Sequence, residues 1–338
     1  MNGEVRRTRA GLGSVLIVFA FTLMAANASP IGGPSFAFAT VEEGQKVLTE
    51  HDDYVSRLSP FDRAARMKTD KEVSETAYLE FVGRNVLDWQ PEEKAVVQSA
   101  LAEIQPKLDK LSLSFPRTIY FVKTTGNEEG GAEYTRGIAI VLPQSVLEKN
   151  KQGSLPALIA HELFHIFSRF NPEAREKLYA LIGFQPCGEI AFPPALAQVK
   201  ITNPDAPRND HCIQLKTGNE DIWAIPILFS QSAHYDVRKG GEFFEYLQVQ
   251  LLVVERKQTG ISASATYDPA HPRLLGFDQV SGFYEQVGRN TDYIIHPEEI
   301  LADNFRLLIL QKKDVPSPDL LQKIEGVLRQ SGKGMPKN

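Results

Sequence analysis

The chain has 338 residues, 42% of them hydrophobic, enough to bury one large core or two small ones. Its formal net charge is -5, and the basic residues are spread out apart from an N-terminal cluster, which argues against nucleic acid or an anionic membrane surface as a partner. The sequence has no internal repeat, low-complexity tract or heptad run, which sets aside solenoids and coiled coils.

Residues 1–39 read as a signal peptide. Arg6, Arg7 and Arg9 make a positive start, and residues 12–26 are an apolar stretch of the matching length. Ala26-Asn27-Ala28 and Ala37-Phe38-Ala39 are two small-x-small cleavage sites. An uncleaved anchor needs roughly 20 apolar residues, and this run is short. The mature protein is therefore expected to be exported, periplasmic or secreted, without stable membrane insertion. In that setting the only two cysteines, Cys187 and Cys212, are expected to form a disulfide across 24 intervening residues. Such a crosslink contributes on the order of 3 kcal/mol. Zinc-binding thiolates would call for a C-x-x-C spacing that the chain lacks.

Residues 40–115 read as a helical region. Its clearest part is 91–113, where Pro91 sits at a helix start and Val96, Val97, Ala100, Leu101, Ile104 and Leu108 follow helical spacing. Pro106 is expected to bend or end that helix. From 116 the pattern changes. Residues 118–122 and 136–142 are rich in β-formers and read as strands, with a Gly- and Glu-rich loop between them. Residues 155–170 form a helix apolar on nearly every side, hence one buried in a core. Residues 186–219 are expected to be irregular, 243–254 to be a strand, and Pro297 to open a helix reaching about 311. The fold class is α+β, with the main domain over 116–335.

The buried helix carries His161-Glu162-Leu163-Phe164-His165, an H-E-x-x-H. Residues four apart share a helix face, so both imidazoles can reach one metal ion. Glu162, rotated beside that face, can touch a metal-bound water without ligating. As ordinary core, two histidines and a glutamate on a buried helix would each need a polar partner or cost several kcal/mol.

A catalytic zinc also needs a third protein ligand. The metzincin continuation would put a glycine and a histidine where Ser168 and Asn171 stand, and the close-spaced glutamate of thermolysin-like enzymes would fall at Phe184 or Gln185. The better candidate lies in His296-Pro297-Glu298-Glu299-Ile300-Leu301-Ala302-Asp303. With Pro297 at the first helical position, Glu299 falls in the first turn and Asp303 one turn on, on the same face. Glu299 can then bind the metal while Asp303 accepts the free ring N–H of one histidine. Glu298 would suit the helix dipole without any metal. Glu189 is the main rival to Glu299, with His211, His234 and His271 behind it.

The pair of segments around His161-Glu162-x-x-His165 and Glu299-x-x-x-Asp303 resembles the gluzincin metallopeptidases, with a separation like that of lethal-factor-type enzymes. The resemblance implies a zincin-like domain with a small mixed sheet and a buried active-site helix. It implies one zinc per chain, held by His161, His165 and Glu299, with Glu162 activating water to hydrolyse a peptide or protein substrate. It further implies that Tyr293 donates to the oxyanion, with His296, Tyr235, Tyr267, His271 and Tyr284 as other candidates. The strand over 136–142 would be the sheet edge along which the substrate lies. Two other functions share these residues: a zinc hydrolase of a non-protein substrate, and a non-catalytic exported binding protein with a vestigial zinc site. An intact Glu162 speaks against the last, since a structural site needs no base.

Overall fold

A computed structural model of the chain describes residues 34–148, 152–260 and 262–331. The apolar stretch of the expected signal and its first cleavage site lie outside them. The described part is a mixed α+β structure with two sheets. Strand β1 (Ser35–Phe38) leads into helices α1 (Val41–Leu48), α2 (Pro60–Arg66) and α3 (Glu75–Arg84). Thr40 and Ser59 cap α1 and α2 through capping boxes, each accepting from the third helical residue and fixing where its helix starts. The short β2 (Val86–Leu87) and the long α4 (Pro91–Leu111) follow. Pro106 does not end α4. The helix runs through it to Ser112, whose left-handed backbone (φ 52°) stops it. Burial of Ile104, Leu108 and Leu111 along one face outweighs the hydrogen bond that Pro106 cannot make.

The first sheet is completed by β3 (Thr118–Thr124), β4 (Tyr134–Arg136) and β5 (Ala139–Pro143), in the order β1-β3-β5-β4, with β2 on one end of β3. β3 is parallel to β1 and β5, and β4 runs antiparallel to β5 at the edge. Alternation along the strands sends Ile119, Phe121, Ile140 and Leu142 into one core, and Val122, Ala139 and Val141 into a second core against α1 and α3. A sheet covered on both faces reads as continuous apolar runs, as β3 and β5 do.

The residues before 116 pack with those after it, since α1, α3 and α4 cover the sheet that β3 and β5 build. The second expected cleavage site, Ala37-Phe38-Ala39, lies within this packing. Residues 35–38 pair with β3 and Ala39 is buried, so a cut after Ala39 would remove an edge strand.

Beyond the first sheet, α5 (Leu155–Phe170) carries the H-E-x-x-H, and α6 (Pro172–Leu181) leads to the second sheet. That sheet is antiparallel, in the order β10-β9-β8-β7-β6, built from β6 (Phe184–Pro186), β7 (His211–Thr217), β8 (Glu220–Ser230), β9 (Leu247–Thr259) and β10 (Ser262–Thr266), with β11 (Leu274–Leu275) on β9. The strand expected over 243–254 is β9, begun four residues later. Residues 186–219 are less irregular than expected, since β7 ends in the two-residue turn Gly218-Asn219, where Gly218 takes φ 57°. Helices α7 (Phe283–Val287), α8 (Pro297–Ile309) and α9 (Pro318–Ser331) close the chain.

Cys187 and Cys212 are brought together by β6 and β7, where Gln185 pairs with Cys212 and the Cys187 N–H bonds to Asp210. Free thiols stand there in place of the expected disulfide. Their mutual hydrogen bond and their burial push the Cys187 thiol up. Among the described residues no helix is long and apolar enough to cross a membrane.

Candidate metal centre

Helix α5 is buried from Leu155 to Ser168 on nearly every side, and α8 is buried from Pro297 through Phe305. The two pack together, with the Phe164 and Phe305 rings 5.6 Å apart. Pro297 at the first helical position and His296 at the cap fix where α8 begins, and so where its carboxylates point. His296 spends its Nδ1 accepting the Glu298 N–H (3.1 Å), and burial lowers its pKa to about 4.

His161, His165 and Glu299 offer one ligand atom each, all within 4.8 Å of one another. The Glu299 carboxylate oxygen lies 3.1 Å from His161 Nε2 and 3.6 Å from His165 Nε2. Bonds of about 2.0–2.1 Å at tetrahedral angles set ligand atoms at this kind of spacing. Each ligand is held from behind. His161 Nδ1 meets Asp303 Oδ1 at 3.0 Å, and His165 Nδ1 meets Glu298 Oε1 at 3.2 Å. Asn203 Nδ2 donates to Glu299 Oε1 at 2.6 Å, leaving Oε2 turned to the imidazoles. Asp303 also accepts from Thr291 and pairs with Arg306, and Glu298 accepts from Ser168 (2.8 Å) and Tyr179 (2.6 Å).

A zinc ion fits this donor set. Two imidazoles and a carboxylate are a catalytic zinc's ligands, and their outer nitrogens are tied to carboxylates as such ligands require. His165 Nε2 is buried with no hydrogen-bond partner among the described residues, a costly state that a metal would relieve. The charges agree. Burial works against protonation of both histidines, yet hydrogen bonds to Asp303 and Glu299 raise His161, and the charges of Asp205 and Glu299 raise His165 to about 9. Glu299 is lowered to about 2 despite burial, chiefly by His165 and His161. The pocket thus draws positive charge, which a dication supplies in place of two protons.

Glu162 is buried beside the ligands, and its Oε2 has no partner among the described residues. Burial and the neighbouring Asp205 charge raise its pKa to about 8. Tyr293 is 42% exposed at the rim. Desolvation at its hydroxyl, then the charges of Glu299, Asp205, Glu162 and Asp303, push it well above the ordinary tyrosine value, so it remains a proton donor. The rival ligands stand elsewhere: Glu189 accepts from the Asn209 N–H, His211 sits between Asp210 and Glu176, and His271 pairs with Asp268 at the surface. His234 joins no metal-competent group among the described residues. Of the other tyrosines, Tyr235 and Tyr267 donate to the carbonyls of Gly241 and Ala191, and Tyr284 packs on Phe283.

The sheet edge beside the site is β4, not the strand over 136–142, whose core, β5, is flanked on both sides. Three residues were too few to read as a strand. The Thr135 N–H points away from β5 and bonds to Asp205 Oδ1 at 2.7 Å. Two cavities adjoin this edge. The larger, about 410 Å³, is lined by Thr135, Arg136, His165, Arg169 and Asp205; the smaller, about 70 Å³, by Tyr134, Asn203, Asp205, Phe243 and Tyr293. Sequence reasoning missed Asn203 and Asp205, which sit on a loop with no periodicity, and took Glu298 for a dipole residue. The adjacent pair Glu298-Glu299 was the signal available for Glu298. No family model matches the chain, and no curated protein or solved structure matches it.

Proposed function

We propose that the chain is an exported zinc-dependent hydrolase with a zincin-like catalytic fold, and specifically a peptidase. The observation that carries this reading is the convergence of His161, His165 and Glu299, each held by its own partner, around a buried His165 Nε2 with nothing to bond. A zinc ion bound there supplies a Lewis acid and acidifies its water toward neutrality. Glu162 is the base. Its unpartnered oxygen can accept the proton of the attacking water and pass it to the leaving amine, and a pKa raised toward neutrality suits both transfers. Tyr293 donates to the oxyanion as it forms, a role worth on the order of 3 kcal/mol for one donor. What favours a peptide over a non-protein substrate is that β4 is an edge strand beside the site, the kind of edge along which an extended peptide pairs, although Asp205 accepts the Thr135 N–H here. Export rests on the N-terminal residues alone.

The test is a peptide-library digest by zinc-loaded wild type and by Glu162→Gln. The wild type should cleave, and the variant should keep its zinc while turnover falls about 10²–10⁴-fold. Undiminished cleavage by the variant sinks the mechanism, and a library left intact by wild type sinks the peptidase reading.

A further inference from the structure

The larger cavity, about 410 Å³, meets the metal site at His165 and carries four arginines on its wall, Arg136, Arg169, Arg175 and Arg208. Two of them are spent. Arg136 is buried and pairs with Asp52 (2.7 Å), and Arg208 pairs with Asp53 (2.7 Å). The other carboxylates on the wall are taken as well: Asp210 by His211, Glu298 by His165, Ser168 and Tyr179, and Asp205 by Thr135. Arg169 and Arg175 remain.

Arg169 stands four residues after His165 and eight after His161, so two imidazoles and a guanidinium follow one another along one face of α5. Its side chain is fixed without being neutralised. Nη1 donates to the Gly137 carbonyl (2.8 Å) and Nη2 to the Thr135 hydroxyl (3.0 Å), both uncharged acceptors at the end of β4. Asp205 meets it through that hydroxyl. A guanidinium has five N–H donors, so several are left over. Arg175, on α6, pairs with the adjacent Glu176 (3.1 Å), and its Nε is buried with no hydrogen-bond partner among the described residues. A buried donor left idle is costly unless a ligand takes it. The acceptor that matches a planar fork of N–H groups is a carboxylate.

We propose that this cavity is a subsite for a substrate carboxylate, with Arg169 and Arg175 as its specificity-determining residues. Arg169 lies one turn of α5 beyond His165, about 6 Å along the helix, so an anion bound there belongs to a residue near the scissile bond. The carboxylate is either an acidic side chain or the C-terminus of the peptide itself. This rests on the peptidase reading above and narrows its substrate class.

The zinc-loaded protein is given peptides in matched pairs that differ only in one charge: a C-terminal acid against its amide, and an internal Asp or Glu against Asn or Gln. Wild type, Arg169→Gln, Arg169→Lys and Arg175→Gln are compared by the ratio of kcat/KM within each pair. Wild type should favour the carboxylate member of at least one pair about 10–100-fold, the range expected of hydrogen bonds to a charged group. The pair that responds identifies the source of the carboxylate. The ratio should fall toward one in Arg169→Gln and in Arg175→Gln, and Arg169→Lys, which keeps the charge without the fork, should fall between. Should Arg169→Gln fail to fold, the other two variants carry the comparison. Equal rates within every pair for wild type overturn the subsite while the peptidase reading stands. A preference that every variant keeps overturns its assignment to these arginines. So does a loss of rate shared by both members of each pair, which is what a brace between α5 and β4 would give. A wild type that cleaves none of the peptides overturns the peptidase reading, and the subsite with it.

Discussion

Glu162 and its neighbours on α5 show how residue identity and surroundings divide the work. His161 and His165 each spend one ring nitrogen on a carboxylate, while Glu162 Oε2 is left with nothing to hold. In a packed interior such an atom costs about 1–3 kcal/mol, a cost that a structural role does not justify. The carboxylates behind the histidines act through orientation. Asp303→Asn and Glu298→Gln should each weaken zinc about 10–100-fold in a competition with a chelator. Wild-type affinity in both would show that the imidazoles are oriented by the helix alone. A buried glutamate away from the site gives a pH prediction. Glu128 accepts a 3.4 Å bond from the Tyr134 hydroxyl on one oxygen, has no partner among the described residues on the other, and is raised by burial to about 7. Its folded pKa lies above its unfolded value, so its contribution is complete below about pH 4.5 and is lost as pH rises through about 7. Relative to wild type, Glu128→Gln should gain stability across that window, on the order of 3 kcal/mol by pH 8. Denaturant melts of the two proteins with the same pH slope would refute this.

Among the elements, α5 and α8 were legible because their signals are local. An H-E-x-x-H inside an apolar run, closed by Asn171-Pro172, marks one helix, and Pro297 fixes the phase of the other, so Glu299 and Asp303 could be placed on one face from numbering alone. What packs the helices together was not legible, because Phe164 and Phe305 meet across the fold. Phe305→Ala should cost about 3–5 kcal/mol and loosen the grip of Glu299 on the site. A loss under 1 kcal/mol in a urea melt would mean that α8 is positioned by something other than this contact. β4 escaped notice for the opposite reason. Three residues carry too little periodicity, and the edge position of Thr135 exists only once β5 pairs with β3 on its other side.

Across the whole molecule, the sharing of one sheet by residues on both sides of 115 was not legible, because strand order is a long-range property. Nothing in residues 35–38 announces a parallel partner some 80 positions away, yet β1 and β3 pair from Ser35 to Thr118 onward. The same holds for the segment from Thr202 to Arg208. Its contacts reach α2, β4 and α8 at once, and a loop read alone carries no trace of them. Cys187 and Cys212 lie together in the fold as free thiols. The functional account turns on one ion. The direct measurement is the zinc content of purified wild type beside Glu299→Ala. The account predicts about one zinc per chain in wild type, lost or greatly weakened in the variant. A wild type that takes up no zinc even when it is added back, or a variant that keeps it at full affinity, would contradict the site as described.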